Sequence, residues 1–498
     1  MADKTVFGCC RSRFIIYPVV FMNKKEFSYI AILALSAGLM SSCSQEDMTG
    51  SRQAVEDIIS FQVSLPGVNS RSADKDMLGA LASGFDVTAF CPEDESRISA
   101  DGTLEEYFSE QRVTQDSDGK FRSDLCRWPG NKDEKQGSLK FFAFYPSRSD
   151  LRQSVDEDET SARFALTNHS SASTFDYRLE NFKINRDIGR HVDFVVASAD
   201  GTKTENLYSG INLDFQHQMT RVGLRAWGTN ASYNVEIAGV RIGRPVTEGT
   251  FNFAAVPDAP EEGDNSVGGW MLDESPVRDC VEYIFRESGD VVIPIDGGSN
   301  NSENTASSIM GNGGWSMVIP YTHDAWNHHD DAPNTRQGMY FSVLLRVTDK
   351  SGIRLYPYPG YSDLDDSDEQ KMTVIYLAVE KSTGSVMKRL YKSDNRYFTA
   401  TDFTGASEYN LPSTQEIREY GWAALPIATE WKAGYEYTYL LDYSKGVGLH
   451  DPDDPDPGAP ILNEVAVSAT VKQWDAPVGE HKVIDLTVID NSTINIGK

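Results

Sequence analysis

The sequence predicts an all-β protein of packed sheets, and three observations carry that expectation. Apolar and polar residues alternate with a period of two over most of the chain, clusters of Gly, Pro, Asn, Asp and Ser separate the alternating runs, and helical patterning is scarce. Successive side chains in a strand point to opposite faces, so this alternation marks strands with one face in a core and one in water. Many short strands with little helix indicate β-sandwiches.

The first run alternates Ile59, Phe61, Val63 and Leu65 with Ser60, Gln62 and Ser64, and Pro66-Gly67 closes it. Met77, Leu78 and Leu81 suit one or two helical turns before the next strand, Phe85-Val87-Ala89. The same alternation is expected in the apolar run Leu139–Tyr145 (LKFFAFY), which ends at Pro146. Further strands are expected at Val222-Leu224-Ala226, Val235-Ile237, Phe251-Phe253 and Phe341-Val343-Leu345-Val347. Tyr435-Tyr437-Tyr439-Leu441, Val465-Val467-Ala469-Val471 and Ile484-Leu486-Val488 complete the series. Ser413-Thr-Gln-Glu416 after Pro412 has the form of a capping box opening a short helix towards Tyr420.

The run Asp193–Ala197 ends a strand-rich first half, the polar stretch ADGTKTENLYSG follows, and a new series starts at Ile211–Phe215. This places one domain over 58–205 and a second over 206–498. Residues 257–315, rich in Gly, Asn and Asp, read mainly as long loops or an insertion in the second domain. The acidic runs 363–369 (DLDDSDE) and 451–457 (DPDDPDP) read as exposed loops, because neither has the ligand spacing and central glycine of a calcium loop.

The 498 residues include 46 Lys and Arg against 74 Asp and Glu, a formal charge of −28. Nucleic acid is excluded as a partner on that balance, since such binders present a basic face to the phosphates. With 40% hydrophobic and 11% aromatic residues, the composition is that of a folded chain.

The amino terminus reads as an export address. Asn23-Lys24-Lys25 give a positive head, and Tyr29–Met40 an apolar run of signal-peptide length, too short for a membrane span. Ser41 and Ser42 then precede Cys43 in an arrangement that resembles a lipobox, with Met40 in the slot usually held by Leu. Residues 22–42 are thus expected to be a lipoprotein signal peptide and Cys43 the acylated first residue, carrying enough acyl chain for stable anchoring. The alternative is an ordinary signal peptide with an incidental cysteine. Residues 1–21 fit no targeting pattern and read as an extension from a start assigned too early, and 43–57 read as a flexible tether.

Motifs for chemistry are few, and no catalytic, cofactor-binding or metal site is expected. His323, His328, His329 and Asp330 fall within eight residues but lack zinc-site spacing, and read as a polar loop. Gly311-Asn-Gly-Gly314 precedes a β run rather than a helix, which argues against a phosphate cradle. Cys91 and Cys126 are candidates for a disulfide that would leave Cys280 over. Tyr356, Tyr358 and Tyr361 lie in a Pro-stiffened aromatic loop, read either as plain surface or as a stacking platform for sugars.

In order, the segments ISFQVSLPGVNSRSA, FDVTAF, Arg127-Trp128-Pro129, LKFFAFYP, DFVVASADG, LDFQHQMTRVGLRAW, VEIAGVRIGRPVTEGTFNF, WSMVIPY, WKAGYEYTYLLDYSKG and VAVSATVKQW resemble the Bacteroidales fimbrillin family. The resemblance implies two transthyretin-like β-sandwich domains in a lipoprotein exported to the periplasm and displayed at the outer membrane. Polymerising members of that family are cut after an arginine that follows the first strand, and a strand from the next subunit fills the groove. Arg71, in the polar stretch Asn69–Ala73, stands where that cut would fall, and reads equally as an ordinary turn arginine. The tail 475–498 reads either as a final strand of its own domain or as a donor strand for a neighbour through Ile484, Leu486 and Val488.

The function expected is a structural or adhesive component of a cell-surface fimbria: subunit, tip or anchor. Its expected partners are other fimbrial subunits through donor-strand exchange, the outer membrane through the lipid on Cys43, and a host or bacterial surface ligand. The competing readings are a surface lipoprotein that binds glycans and a secreted hydrolase with two convergent carboxylates.

Overall fold

A computed structural model describes residues 57–65, 75–130, 137–154, 164–171, 173–229, 233–255, 269–311, 314–327, 338–350, 352, 354–357, 374–379, 386–393, 396–399, 420–454, 466–473, 482–486 and 494–495. Strands and helices are numbered in chain order. The fold is all-β, as the alternation indicates, and the described strands form five sheets.

The first sheet has the order β10-β8-β5-β2-β3-β4-β1-β9. Its strands are β1 (Ile58–Ser64), β2 (Phe85–Phe90), β3 (Glu106–Gln115), β4 (Phe121–Arg127), β5 (Leu139–Tyr145), β8 (Val195–Gly201), β9 (Ile211–Asp214) and β10 (Gln216–His217). Helix α1 (Lys75–Ser83) links β1 to β2 and buries Leu81, which is why Met77, Leu78 and Leu81 sit at helical spacing. A four-stranded sheet joins β6 (Ala165–Asn168) and β7 (Tyr177–Lys183) to β13 (Glu248–Asn252) and β14 (Trp270–Met271).

A six-stranded sheet contains β11 (Thr220–Trp227), β17 (Ser307–Ser308), β18 (Ser316–Val318), β26 (Tyr435–Asp442), β28 (Ala466–Gln473) and β29 (Lys482–Leu486). The nine-stranded sheet contains β12 (Tyr233–Gly243), β15 (Val281–Ile284), β16 (Ile293–Ile295), β19 (Thr322–His323), β20 (Tyr340–Asp349), β21 (Arg354–Tyr356), β25 (Gly421–Glu430), β27 (Leu449–His450) and β30 (Ile494–Asn495). Strands β22 (Val374–Val379), β23 (Val386–Ser393) and β24 (Arg396–Thr399) pair as an antiparallel meander.

Two cores follow from how the side chains sort. Ile59, Phe61, Phe85, Val87, Phe141, Ala143, Val195, Ile211 and Leu213 fill the inside of the first sheet. The opposite faces of β5 and β8 send Phe142, Phe144 and Val196 into a second, larger core with Tyr177, Phe251 and Phe253. Phe144 lies 5.5 Å from Phe253 and Phe142 stacks 6.0 Å from Tyr177. Segment LKFFAFY is apolar nearly throughout because β5 is covered on both faces.

The strands on either side of residue 205 share sheets. Strands β9 and β10 belong to the first sheet, while β13 pairs with β7 on one side and β14 on the other. Further along, Val222 and Leu224 of β11 and Tyr439 of β26 join a core that also holds Val235 and Ile237 of β12 and Phe341 of β20. Phe341 meets Tyr439 edge-on at 4.6 Å across this sandwich.

The glycine-rich stretch 257–315 carries more order than its pattern suggests: β14 to β17 lie within it, and Trp270, Tyr283, Phe285 and Ile309 are buried. Their strands are two to four residues long, too short to display a period.

Candidate functional site: the first strand and its seat

Strand β1 occupies an inserted position. It runs antiparallel to β4, with Phe61 opposite Phe121, and parallel to β9, with Phe61 opposite Ile211. The alternation read from the sequence holds at Ile59, Phe61 and Leu65, buried at 0%, 2% and 6% exposure, with Gln62 exposed. Val63 is half-buried against the core, and Ser60 and Ser64 are half-buried on the other side. The Phe61 ring meets Phe141 edge-on at 5.7 Å and Phe85 at 6.5 Å, the geometry that aromatic quadrupoles favour. Trp128, itself buried, closes this cluster edge-on to Phe141 at 6.2 Å.

Main-chain bonds hold both ends of the strand. The Trp128 N–H donates to the Asp57 carbonyl at 2.8 Å, and the Phe215 N–H donates to the Ser64 carbonyl at 2.9 Å. On the polar side the Gln62 amide donates to the Ser209 carbonyl and the Ser64 hydroxyl to the Asp214 carboxylate. Lys203 pairs with Asp57 at the strand's start. On the β4 side the ladder runs from Ile58 opposite Arg127 to Ser60 opposite Arg122, so β4 bulges away and leaves Leu125 69% exposed.

This geometry has a chemical consequence. Without β1, strands β4 and β9 would each present an unpaired row of N–H and C=O groups, flanking holes shaped by Ile59, Phe61 and Leu65. Such a groove accepts any extended segment with apolar residues at every second position.

Gly210 sets how closely β9 approaches. Its φ is +80°, and a Cβ there would lie 2.9 Å from the Ser60 carbonyl oxygen. Gly210→Ala therefore meets both a left-handed conformation and a backbone clash. We expect a loss of about 1–3 kcal/mol in denaturant unfolding, with faster amide exchange in β9.

Several residues singled out in the sequence find different settings. Cys43 and Arg71 lie outside the described residues, the latter in the connection between β1 and α1. Cys91 and Cys126 are buried free thiols, and burial pushes Cys126 up to about 12. His323 is not in a polar loop: it pairs in β19, is 1% exposed and packs 4.9 Å from Trp431 and 5.2 Å from Tyr321. His328, His329 and Asp330 lie outside the described residues, among which no cluster of metal-ligating side chains occurs. Tyr356 is core rather than exposed loop, donating from its hydroxyl to the Trp422 carbonyl at 2.7 Å, while Tyr358 and Tyr361 fall outside the described residues.

The acidic run at 451–457 also differs from a solvated loop over the residues described. Asp451 is fully buried and accepts from Arg241 Nη1 at 2.9 Å and from the Tyr340 hydroxyl at 3.0 Å. Arg244 holds Asp453 bidentately at 2.8 and 3.0 Å. Burial opposes ionisation of Asp453, and the Arg244 and Tyr340 hydrogen bonds outweigh it, leaving its carboxyl below the usual range. Run 363–369 lies outside the described residues.

At the carboxy terminus, β29 pairs antiparallel with β28, Ile484 opposite Ala469 and Leu486 opposite Val467. Strand β30 lies parallel to β25. Among the described residues no helix is long and apolar enough to cross a membrane.

A family model described as fimbrillin-like matches residues 81–386. Among solved structures, a candidate cell adhesion protein from Bacteroides ovatus is 12% identical, with 87% of this chain and 99% of that chain covered at a TM-score of 0.32. Another from Bacteroides uniformis is 11% identical, with 84% and 98% covered and a TM-score of 0.32. The fimbrial anchor protein Mfa2 from Porphyromonas gingivalis is 10% identical, with 86% and 99% covered and a TM-score of 0.25. No curated protein matches the sequence.

Proposed function

The chain belongs to the fimbrillin-like family, whose model spans more than half of it, and from that premise we propose that it is a structural or adhesive component of a cell-surface fimbria that assembles by exchange of its first strand. The observation that carries the reading is the seat of β1: the first of the described strands, inserted between β4 and β9, that supplies alternate side chains to a core otherwise made by later parts of the chain. Export as a lipoprotein places Cys43 at the outer membrane, and cleavage after Arg71 removes the lipid and β1 together. A neighbouring subunit's extended segment then takes the vacated place by β-augmentation.

The tail is the candidate donor. Ile484, Leu486 and Val488 repeat the spacing of Ile59, Phe61 and Val63. Donation would exchange the pairing of Lys482–Leu486 with β28 for pairing with a neighbour's β4 and β9. The reading assigns the chain no catalytic centre.

Intact mass and amino-terminal sequencing of protein recovered from its own outer membrane test this. A chain that begins at Ser72 is the expected result for a polymerising subunit. A chain that begins at acylated Cys43 makes it an anchor, or a lipoprotein outside assembly, and an unacylated start elsewhere overturns the lipid anchor.

A further inference from the structure

We propose that His191 is an acid-released latch that joins the β7–β8 connection to β18 of the six-stranded sheet. Both ring nitrogens are in use, and their partners fix the tautomer. The Met317 main-chain N–H, which can only donate, lies 3.1 Å from Nδ1, and the Ser316 hydroxyl shares that acceptor at 3.1 Å. The proton therefore sits on Nε2, which donates to the Asn185 carbonyl at 2.7 Å. A neutral imidazole satisfies every one of these contacts. A second proton on Nδ1 would set one N–H against another and cost the β18 bond.

The latch spans parts of the chain that no strand ladder joins directly. The 3-10 turn Ile188–Arg190 precedes it and buries Ile188, and β8 follows, with Val195 and Val196 in the two separate cores. Strand β18 is held to β11. Charges around the ring are few. Arg186, Asp187, Arg190 and Asp193 lie on its own segment, Asp193 engaged with His217 at 2.7 Å. The backbone of Glu282 in β15 pairs with that of Asp187, and β11 sets Arg221 opposite Met317. Residues Ser316–Val318 of β18 bring none. Burial holds the imidazole at about 4, below its ordinary 6.5, against the pull of the Asn185 bond and Asp187.

The sign follows from that depression. The open state takes up a proton below about pH 6.5 and the latched state does not, so the latch is fully closed above that pH and weakens as the pH falls towards 4. Hydrogen exchange of Ser316–Val318, corrected for intrinsic rates, should show protection falling about tenfold between about pH 7.5 and 5.5. His191→Gln keeps one donor and one acceptor but does not titrate, and should hold its protection across the same window. Protection that stays constant in the parent protein, or falls equally in H191Q, overturns the latch. Nitrogen-15 shifts of labelled histidine give a reading that needs no variant. His191 should remain the neutral Nε2–H tautomer at about pH 5.5, and titration near the ordinary value would overturn the proposal equally.

Discussion

Phe61→Ala should lower the stability of the first sheet by about 3–5 kcal/mol, the range for deleting a buried phenylalanine ring. The ring is 2% exposed and contacts Phe85 and Phe141 edge-on, so truncation loses transfer energy and leaves a cavity walled by rigid aromatics that cannot collapse into it. Phe61→Leu, which keeps most of the volume, should cost about 1–1.5 kcal/mol. Gln62→Ala, on the exposed side of the same strand, should stay within about 0.5 kcal/mol. Urea unfolding followed by exchange at β4 and β9 amides separates these outcomes. If all three variants melt together, β1 does not contribute the core described, and strand exchange loses its energetic basis. The exchange reading favours the same hierarchy in a donor: an alanine at Leu486 should weaken a neighbour's hold more than one at Asp485.

The strand itself was legible because half-burial writes a period of two into the chain, and Ile59 to Leu65 show it without interruption. Segments buried on both faces carry less information: in β5 the alternation vanishes, and the sequence alone does not say which of Phe141 and Phe142 faces which core. The sheet pairing across residue 205 was illegible for a related reason. A polar bridge marks where the chain turns outward, not which strand it next pairs with, and β9 returns to β1 over a separation of about 150 residues.

Long-range polar contacts were the least visible. Asp451 sits in a run of Asp and Pro that has the composition of a solvated loop, and its partner Arg241 lies 210 residues away. His191 and Met317 are 126 residues apart. Nothing in local spacing distinguishes an aspartate that meets water from one that meets a guanidinium brought in by the fold. The free signal in such cases is the partner's setting: Arg241 follows the apolar run Ile237–Val240 near the end of β12 and Arg244 comes directly after the strand, where unpaired cations would be costly.

Arg241→Ala should therefore be among the most damaging single changes outside the cores, at about 3–5 kcal/mol. Its guanidinium binds Glu282 at 2.9 and 3.0 Å and Asp451 at 2.9 Å, and lies 4.2 Å over the Trp422 ring. Burial works against its charge, and Asp451 and Glu282 outweigh that, holding its pKa above the ordinary value. Removing it leaves Asp451, at 0% exposure, with the Tyr340 hydroxyl and the Asp453 N–H as its remaining donors. Asp451→Ala should cost less, because Arg241 keeps Glu282. In the double variant the two losses should fall short of their sum by about 0.5–3 kcal/mol, a coupling that a thermal melt of the four proteins measures. Salt should change it little, since the pair is shielded from counterions. The position of the clamp gives the result wider meaning. It fixes the chain directly after β27, the last point on the nine-stranded sheet before the chain crosses to β28 and β29 in the other sheet. If the tail is the donor, a firm clamp lets it leave while the sandwich stays closed, so Arg241→Ala should loosen β27 and β25 together with the tail rather than the tail alone.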